Sequence, residues 1–217
     1  TIKEVREPMG MLKKDHIRTM LQMERISSLW EIKYRRKWTE EDVEDLYEIF
    51  EEKLLSILDQ FAEVKPYVLE TVKELRKRGI KIGSTTGYTD KMMEIVVPKA
   101  KENGYEPDIW FSPDAVGGFG RPYPYMVFKN MQALGIQSVD QVMKVGDTVS
   151  DIKEGKNAGV YTVGVIEGSS ALGFSEKEYE KLSEEKKKER IVEVKEKFKN
   201  AGADAVILNM KKLIELL

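Results

Sequence analysis

The sequence predicts an all-helical N-terminal module joined to an α/β domain with a parallel sheet, on three observations. Through the first 60 positions, apolar residues recur only at helical spacing. From about residue 61, short apolar runs alternate with amphipathic segments, the signature of right-handed crossovers between parallel strands. Polar clusters follow three of these runs, at the carboxyl ends of strands, where open parallel sheets carry their reactive groups.

Each element has a local reason. In residues 1–60, Met11, Ile17, Met20 and Leu21 recur at helical spacing, followed by Ile26, Leu29 and Trp30. Pro8 suits a helix start, where its missing N–H costs nothing. Thr39 is a good N-cap, with Asp42 three residues on, before a helix to about Leu58. Residues 66–78 form an amphipathic helix that Gly79 can cap. The run "IKIGSTT" (80–86) reads as a strand, Lys91–Asn103 as a helix stopped by Gly104, and "IWFS" (109–112) as a second strand. Pro122–Leu134 reads as a helix closed by Gly135, "VMKVG" (142–146) as a third strand, and residues 152–157 as a helix. "VYTVGVI" (160–166) is a fourth strand. A charged helical stretch, about 175–201, precedes "DAVIL" (204–208) and a last helix from Met210 to Leu217. Within it, Ser183–Arg190 reads as a solvated face.

Composition narrows the function. The chain has 217 residues, enough for a large core plus a small second domain. Its net charge of −2 offers no broad basic field for nucleic acid. With no cysteine, disulfides and thiolate metal sites are excluded. No apolar run is long enough to span a bilayer and no signal peptide is apparent, so a cytoplasmic location is expected.

Three strand-end clusters and one helical pair carry the chemistry. In "VGDTVSD" (145–151), Asp147 and Asp151 suit a hard cation such as Mg²⁺, with Gly146 allowing close backbone approach. The same residues also serve as ordinary helix caps. Thr85, Thr86 and Gly87 can bond phosphate oxygens at a helix start, or simply make a strand-to-helix turn. Arg121, after Gly117, Gly118 and Gly120, suits bidentate contact with a phosphoryl group, or is a surface arginine. Lys13 and His16 lie one helical turn apart. A desolvated lysine can form a Schiff base, although most lysines are solvated. Trp30, Tyr34 and Trp38 read as core or interface packing rather than as a ligand platform.

Together, "GSTTGYT", "GRPYP" and "VGDTVSDIKEGKNAG" resemble the second, third and fourth motifs of haloacid dehalogenase-like phosphotransferases. "PMGMLKKDHIRTM" resembles the cap lysine motif of the phosphonoacetaldehyde hydrolase (phosphonatase) family within that superfamily, and the resemblance runs through "GVIEGSSALG" (164–173). It implies a Rossmann-like core under an inserted helical cap, with the cap at residues 1–60 and the core at 61–217. It also implies a Mg²⁺-dependent hydrolase of phosphonate degradation, paired as a homodimer through its cap helices. On that resemblance, Lys13 matches the Schiff-base lysine, His16 assists proton movement, and Met9 lines the pocket. Thr86, Gly87 and Arg121 face the phosphoryl oxygens and Tyr88 the substrate. Asp147 ligates Mg²⁺, and Asp151 supports it or its waters.

The family's first motif, a strand ending in a nucleophilic aspartate within a pattern like Asp-x-Ala-Gly-Thr, occurs nowhere in these 217 residues. The core's first strand and the cap's first helix are thus expected to be missing, and a start at Thr1 fits a longer gene product. As it stands, the chain is expected to form no aspartyl-phosphate. A phosphatase or mutase acting on sugar phosphates, which needs no Lys13, and a non-catalytic binding or dimerisation relative stay open as alternatives.

Overall fold

In the computed structural model, which describes residues 1–174 and 176–217, four α-helices form within residues 1–60. They are α1 (Ile2–Arg6), α2 (Lys13–Gln22), α3 (Glu24–Tyr34) and α4 (Glu40–Leu55). Helix α2 packs against both α3 and α4. The start of α4 is fixed as its sequence requires. The Thr39 amide donates to Asp42 Oδ2 at 2.8 Å, and Arg36 donates to both oxygens of Asp42. Pro8 does not begin a helix. It lies buried in the turn after α1, and α2 starts at Lys13.

The α/β part follows as α5 (Val68–Lys77), β1 (Gly83–Thr85), α6 (Asp90–Glu102), β2 (Ile109–Phe111), α7 (Tyr125–Leu134), β3 (Met143–Gly146), α8 (Val149–Ala158), β4 (Tyr161–Val165), α9 (Glu176–Glu180), α10 (Glu184–Asn200) and β5 (Ala205–Ile207). Gly79, Gly104 and Gly135 close their helices at φ +74°, +92° and +69°, a region that disfavours side chains.

Several boundaries differ from expectation, each for a local reason. β1 begins at Gly83 because the Ile82 amide donates to the Asp108 carboxylate at 2.7 Å. α7 begins at Tyr125 rather than Pro122, since Pro124 keeps Tyr123 out of helical geometry. α8 begins at Val149 because the Thr148 hydroxyl accepts from the Asp151 amide. The charged stretch makes two helices, because the Ser183 hydroxyl caps a new one by accepting from Lys186. Its first expected residue, 175, lies outside the described residues. The last helix is a 3₁₀ helix, Met210–Leu216.

Among the described residues every strand pair is parallel, as the alternation of elements predicts, but the sheet is not continuous. β1 pairs with β2, and β3–β4–β5 form a second sheet. Side chains rather than backbone bonds join the two: Lys144 on β3 donates to Thr85 on β1 at 2.7 Å. β4 is the centre of the larger sheet. Val163 and Val165 pack against Leu75 of α5 and Leu213. On the opposite face, a Cβ at Gly164 would lie 2.6 Å from the Phe198 ring of α10. That absent side chain is what lets Phe198 become fully buried, which contributes roughly 1.5–3 kcal/mol.

Candidate active site

Helices and strand ends converge on one region. The turn before α2 brings Gly10 against the start of α8, where a Cβ at Gly10 would meet Thr148 Oγ1 at 2.4 Å. Ser150 donates its hydroxyl to the Met9 carbonyl at 3.2 Å. From the other side, a Cβ at Gly87 would lie 2.7 Å from the Met11 carbonyl oxygen and 2.9 Å from that of Gly10. The helical module and the α/β part therefore meet backbone to backbone, through glycines on both sides. Gly87 serves this approach, because it is buried under the carbonyls of Gly10 and Met11.

Lys13 opens α2 just beyond that contact, with its Nζ 5.1 Å from the centre of the Tyr88 ring. Burial, and then the charge of Arg121, lower its pKa. His16, one turn on, is buried with no hydrogen-bond partner for Nδ1 among the described residues. Burial and the Lys13 charge lower its pKa, against a hydrogen bond with the Val5 backbone. Burial raises the pKa of Tyr88. The Thr86 hydroxyl accepts from the Tyr88 amide at 3.0 Å, so it fixes the turn that carries Tyr88.

Arg121 reaches the same region from the loop before α7. Its Nη1 is 3.0 Å from Asp151, and its Nη2 donates to Thr85 Oγ1 at 3.1 Å and to the Thr85 carbonyl. Burial works against its charge, but Asp151, Glu154 and Asp147 outweigh it and raise its pKa. Asp151 accepts from the Thr148 hydroxyl at 2.6 Å and sits 3.0 Å from Lys144. These partners overcome its burial and hold its carboxyl well below the usual range. Asp147, at the end of β3, remains accessible. Surrounding protein atoms and the Asp151 charge push its pKa up, while Arg121 pulls it down. Gly146 is essential to this packing, since a Cβ there would lie 2.2 Å from Asp151 Cβ.

A cleft of about 320 Å³ lies on the far side of the Pro8–Met11 turn, lined by Pro8, Met11, Met23, Pro122 and Lys153 among others. It includes none of Lys13, Tyr88, Arg121 or Asp147, so the candidate site is the charged convergence rather than this cleft.

Sequence reasoning missed the buried partners Lys144 and Glu154, and it offered Thr85 to phosphate or to a turn rather than to this cluster. Two signals pointed to them. Lys144 is a charge inside an apolar strand, and Glu154 follows Asp151 by three residues, on the same face of α8.

A family profile described as haloacid dehalogenase-like hydrolase matches residues 2–159. A phosphonoacetaldehyde hydrolase of Lysinibacillus sphaericus is 52% identical over 98% of this chain and 79% of its own length. The chain belongs to the phosphonoacetaldehyde hydrolase family of haloacid dehalogenase-like hydrolases. A bifunctional phosphonoacetaldehyde hydrolase/aminoethylphosphonate transaminase of Clostridioides difficile is 48% identical over the whole of this chain and 34% of its own. The crystal structure of a phosphonoacetaldehyde hydrolase-like protein from Oleispira antarctica superposes with a TM-score of 0.95 at 34% identity, covering all of this chain and 78% of that one.

Enzymes of this family generally use Mg²⁺, and the residues here fit it in part. Asp147 is an accessible carboxylate whose charge an incoming cation would relieve. Among the described residues no group of three acidic or histidine side chains could hold a metal. Mg²⁺ nevertheless needs few carboxylates when water and a phosphate oxygen complete its shell. No helix of the described residues is long and apolar enough to cross a membrane.

Proposed function

We propose that this chain carries the lysine and phosphoryl-binding residues of a phosphonoacetaldehyde hydrolase, which cleaves the substrate's P–C bond to give acetaldehyde and phosphate. The observation that carries this reading is the desolvated Lys13 amine, set beside His16 and Tyr88 and within the field of Arg121. A carbanion is a very poor leaving group, and an amine from the cap solves that problem.

The neutral Lys13 amine attacks the aldehyde carbon, and loss of water leaves an imine. Protonated, this iminium accepts the electron pair of the breaking P–C bond and becomes an enamine. Protonation of the enamine carbon and hydrolysis then release acetaldehyde and restore the amine. His16, uncharged beside Lys13, is placed to move protons at that nitrogen. Met9 lines the turn at the cap–core contact, and Tyr88 covers the Lys13 side chain. Thr86 and Arg121 hold the phosphoryl oxygens. Asp147 would ligate Mg²⁺, supported by Asp151, and the bound ion would neutralise phosphoryl charge. As the P–C bond breaks, the phosphoryl group passes to a carboxylate nucleophile, from which water releases it as phosphate; in the family pattern that nucleophile is an aspartate in a motif that these residues do not contain.

Borohydride reduction in the presence of acetaldehyde tests the reading. We expect a stable adduct on Lys13, located by peptide mass mapping and lost in Lys13→Met. A folded protein that yields no adduct on Lys13 refutes it and favours a phosphatase-type reaction.

A further inference from the structure

Glu154 is fully buried on α8, and no step above uses it. Its Oε2 lies 2.7 Å from Lys144 Nζ, accepts from Thr85 Oγ1 at 2.8 Å, and is 3.3 Å from Arg121 Nε. The side chains of Arg121 and Lys144 are each only 10% exposed. Two cations thus face two carboxylates, Asp151 and Glu154, and the buried cluster is neutral. An apolar cluster of the same volume would be as stable or more so, because desolvating four charges is costly. Packing alone therefore does not account for it.

Its geometry points to another role. The two carboxylates pair by charge with two nitrogens of one guanidinium, Asp151 3.0 Å from Nη1 and Glu154 3.3 Å from Nε, an Nε with no hydrogen-bond partner among the described residues, while Nη2 donates to Thr85. Those contacts restrain a side chain whose orientation decides bidentate recognition. The same Glu154 oxygen ties β1 through Thr85 to β3 through Lys144, and so holds the two phosphoryl-facing strand ends in register. We propose that Glu154 is a positioning residue that sets the Arg121 guanidinium for a phosphoryl group, a role resting on the function proposed above.

The test uses the full-length protein with Glu154→Gln, Lys144→Met and the double variant. Glu154→Gln leaves the cluster with a net positive charge, Lys144→Met leaves it negative, and the double variant is neutral again. The readouts are inhibition by inorganic phosphate, KM and kcat for phosphonoacetaldehyde, thermal unfolding, and borohydride trapping of acetaldehyde on Lys13. Glu154→Gln is expected to weaken phosphate inhibition about tenfold and raise KM in step, with Lys13 still trapped. The double variant is expected to recover unfolding temperature but not phosphate affinity. Three results overturn the proposal: unchanged phosphate inhibition in Glu154→Gln, full recovery of phosphate affinity in the double variant, or loss of trapping in parallel with inhibition. Absence of phosphate inhibition in the unaltered protein instead refutes the phosphoryl site itself.

Discussion

His16 shows at the scale of one residue how burial becomes chemistry. Burial and the neighbouring Lys13 charge both favour its neutral form, so its folded pKa is below that of the unfolded chain. The sign of the pH dependence follows. Between the two values the unfolded chain binds the extra proton, so stability is fully present above about pH 6.5 and falls as pH drops toward the folded pKa. Thermal unfolding from about pH 7.5 to pH 5 should therefore show a steeper loss in the native protein than in His16→Asn. Asp147 titrates in both proteins and cancels in the difference. Parallel curves would mean that the imidazole is solvated. Lys13 obeys the same physics with more functional weight, because lowering its pKa increases the fraction of free amine at neutral pH. The sequence marked both residues through their spacing, but burial is a property of the assembled fold that no spacing supplies.

Among elements, what the sequence revealed depended on how local the cause was. The cap of α4 was readable because Thr39 and Asp42 are three residues apart. The late start of α7 and the division of the charged helix also have local causes, in Pro124 and Ser183, but there several choices competed. The break between the two sheets was legible only through the family resemblance, which expects a core strand that these residues lack, and not through any local pattern, because strand pairing depends on long-range neighbours. Within the site, Lys13, Arg121, Asp147 and Asp151 stood out as motif residues, whereas Glu154 acquires its meaning from Thr85, 69 positions away. Gly87 is an intermediate case. The sequence marks it as a turn glycine, yet its strictest constraint comes from the backbone of Gly10 and Met11 on another element. Backbone oxygens cannot step aside as a flexible side chain would. Gly87→Ala should accordingly cost about 1–3 kcal/mol in urea unfolding and reduce trapping on Lys13, because the helical module is pushed off the strand ends. An alanine variant with native stability and native trapping would show that the two parts do not need to close this tightly.

At the scale of the whole molecule, α3 is the helix that the monomer explains least. It buries none of its residues, although it carries Leu29, Ile32 and Tyr34, which are 50%, 76% and 46% exposed. Ile49 and Phe50 on α4 are exposed as well. Trp30 packs tilted against Tyr34, 4.3 Å between ring centres, and carries the Arg36 guanidinium on its face, a combination enriched at interface cores. The exposed face of α10, by contrast, is charged and needs no cover. An apolar helix left uncovered fits a partner, and the family resemblance implies that the partner is a second copy meeting it through the cap helices. A stable pair needs roughly 1,200–2,000 Å² of total buried surface, which two helices contributed by each copy can supply. Sedimentation velocity at micromolar concentration should then give a dimer, and Ile32→Glu should shift it to monomer by placing a charge where an apolar contact is required. Trapping on Lys13 should persist in that monomer, because Tyr88 and Arg121 come from the same chain. A native protein that sediments as a monomer throughout would leave α3 to some other partner and remove the second copy from this account.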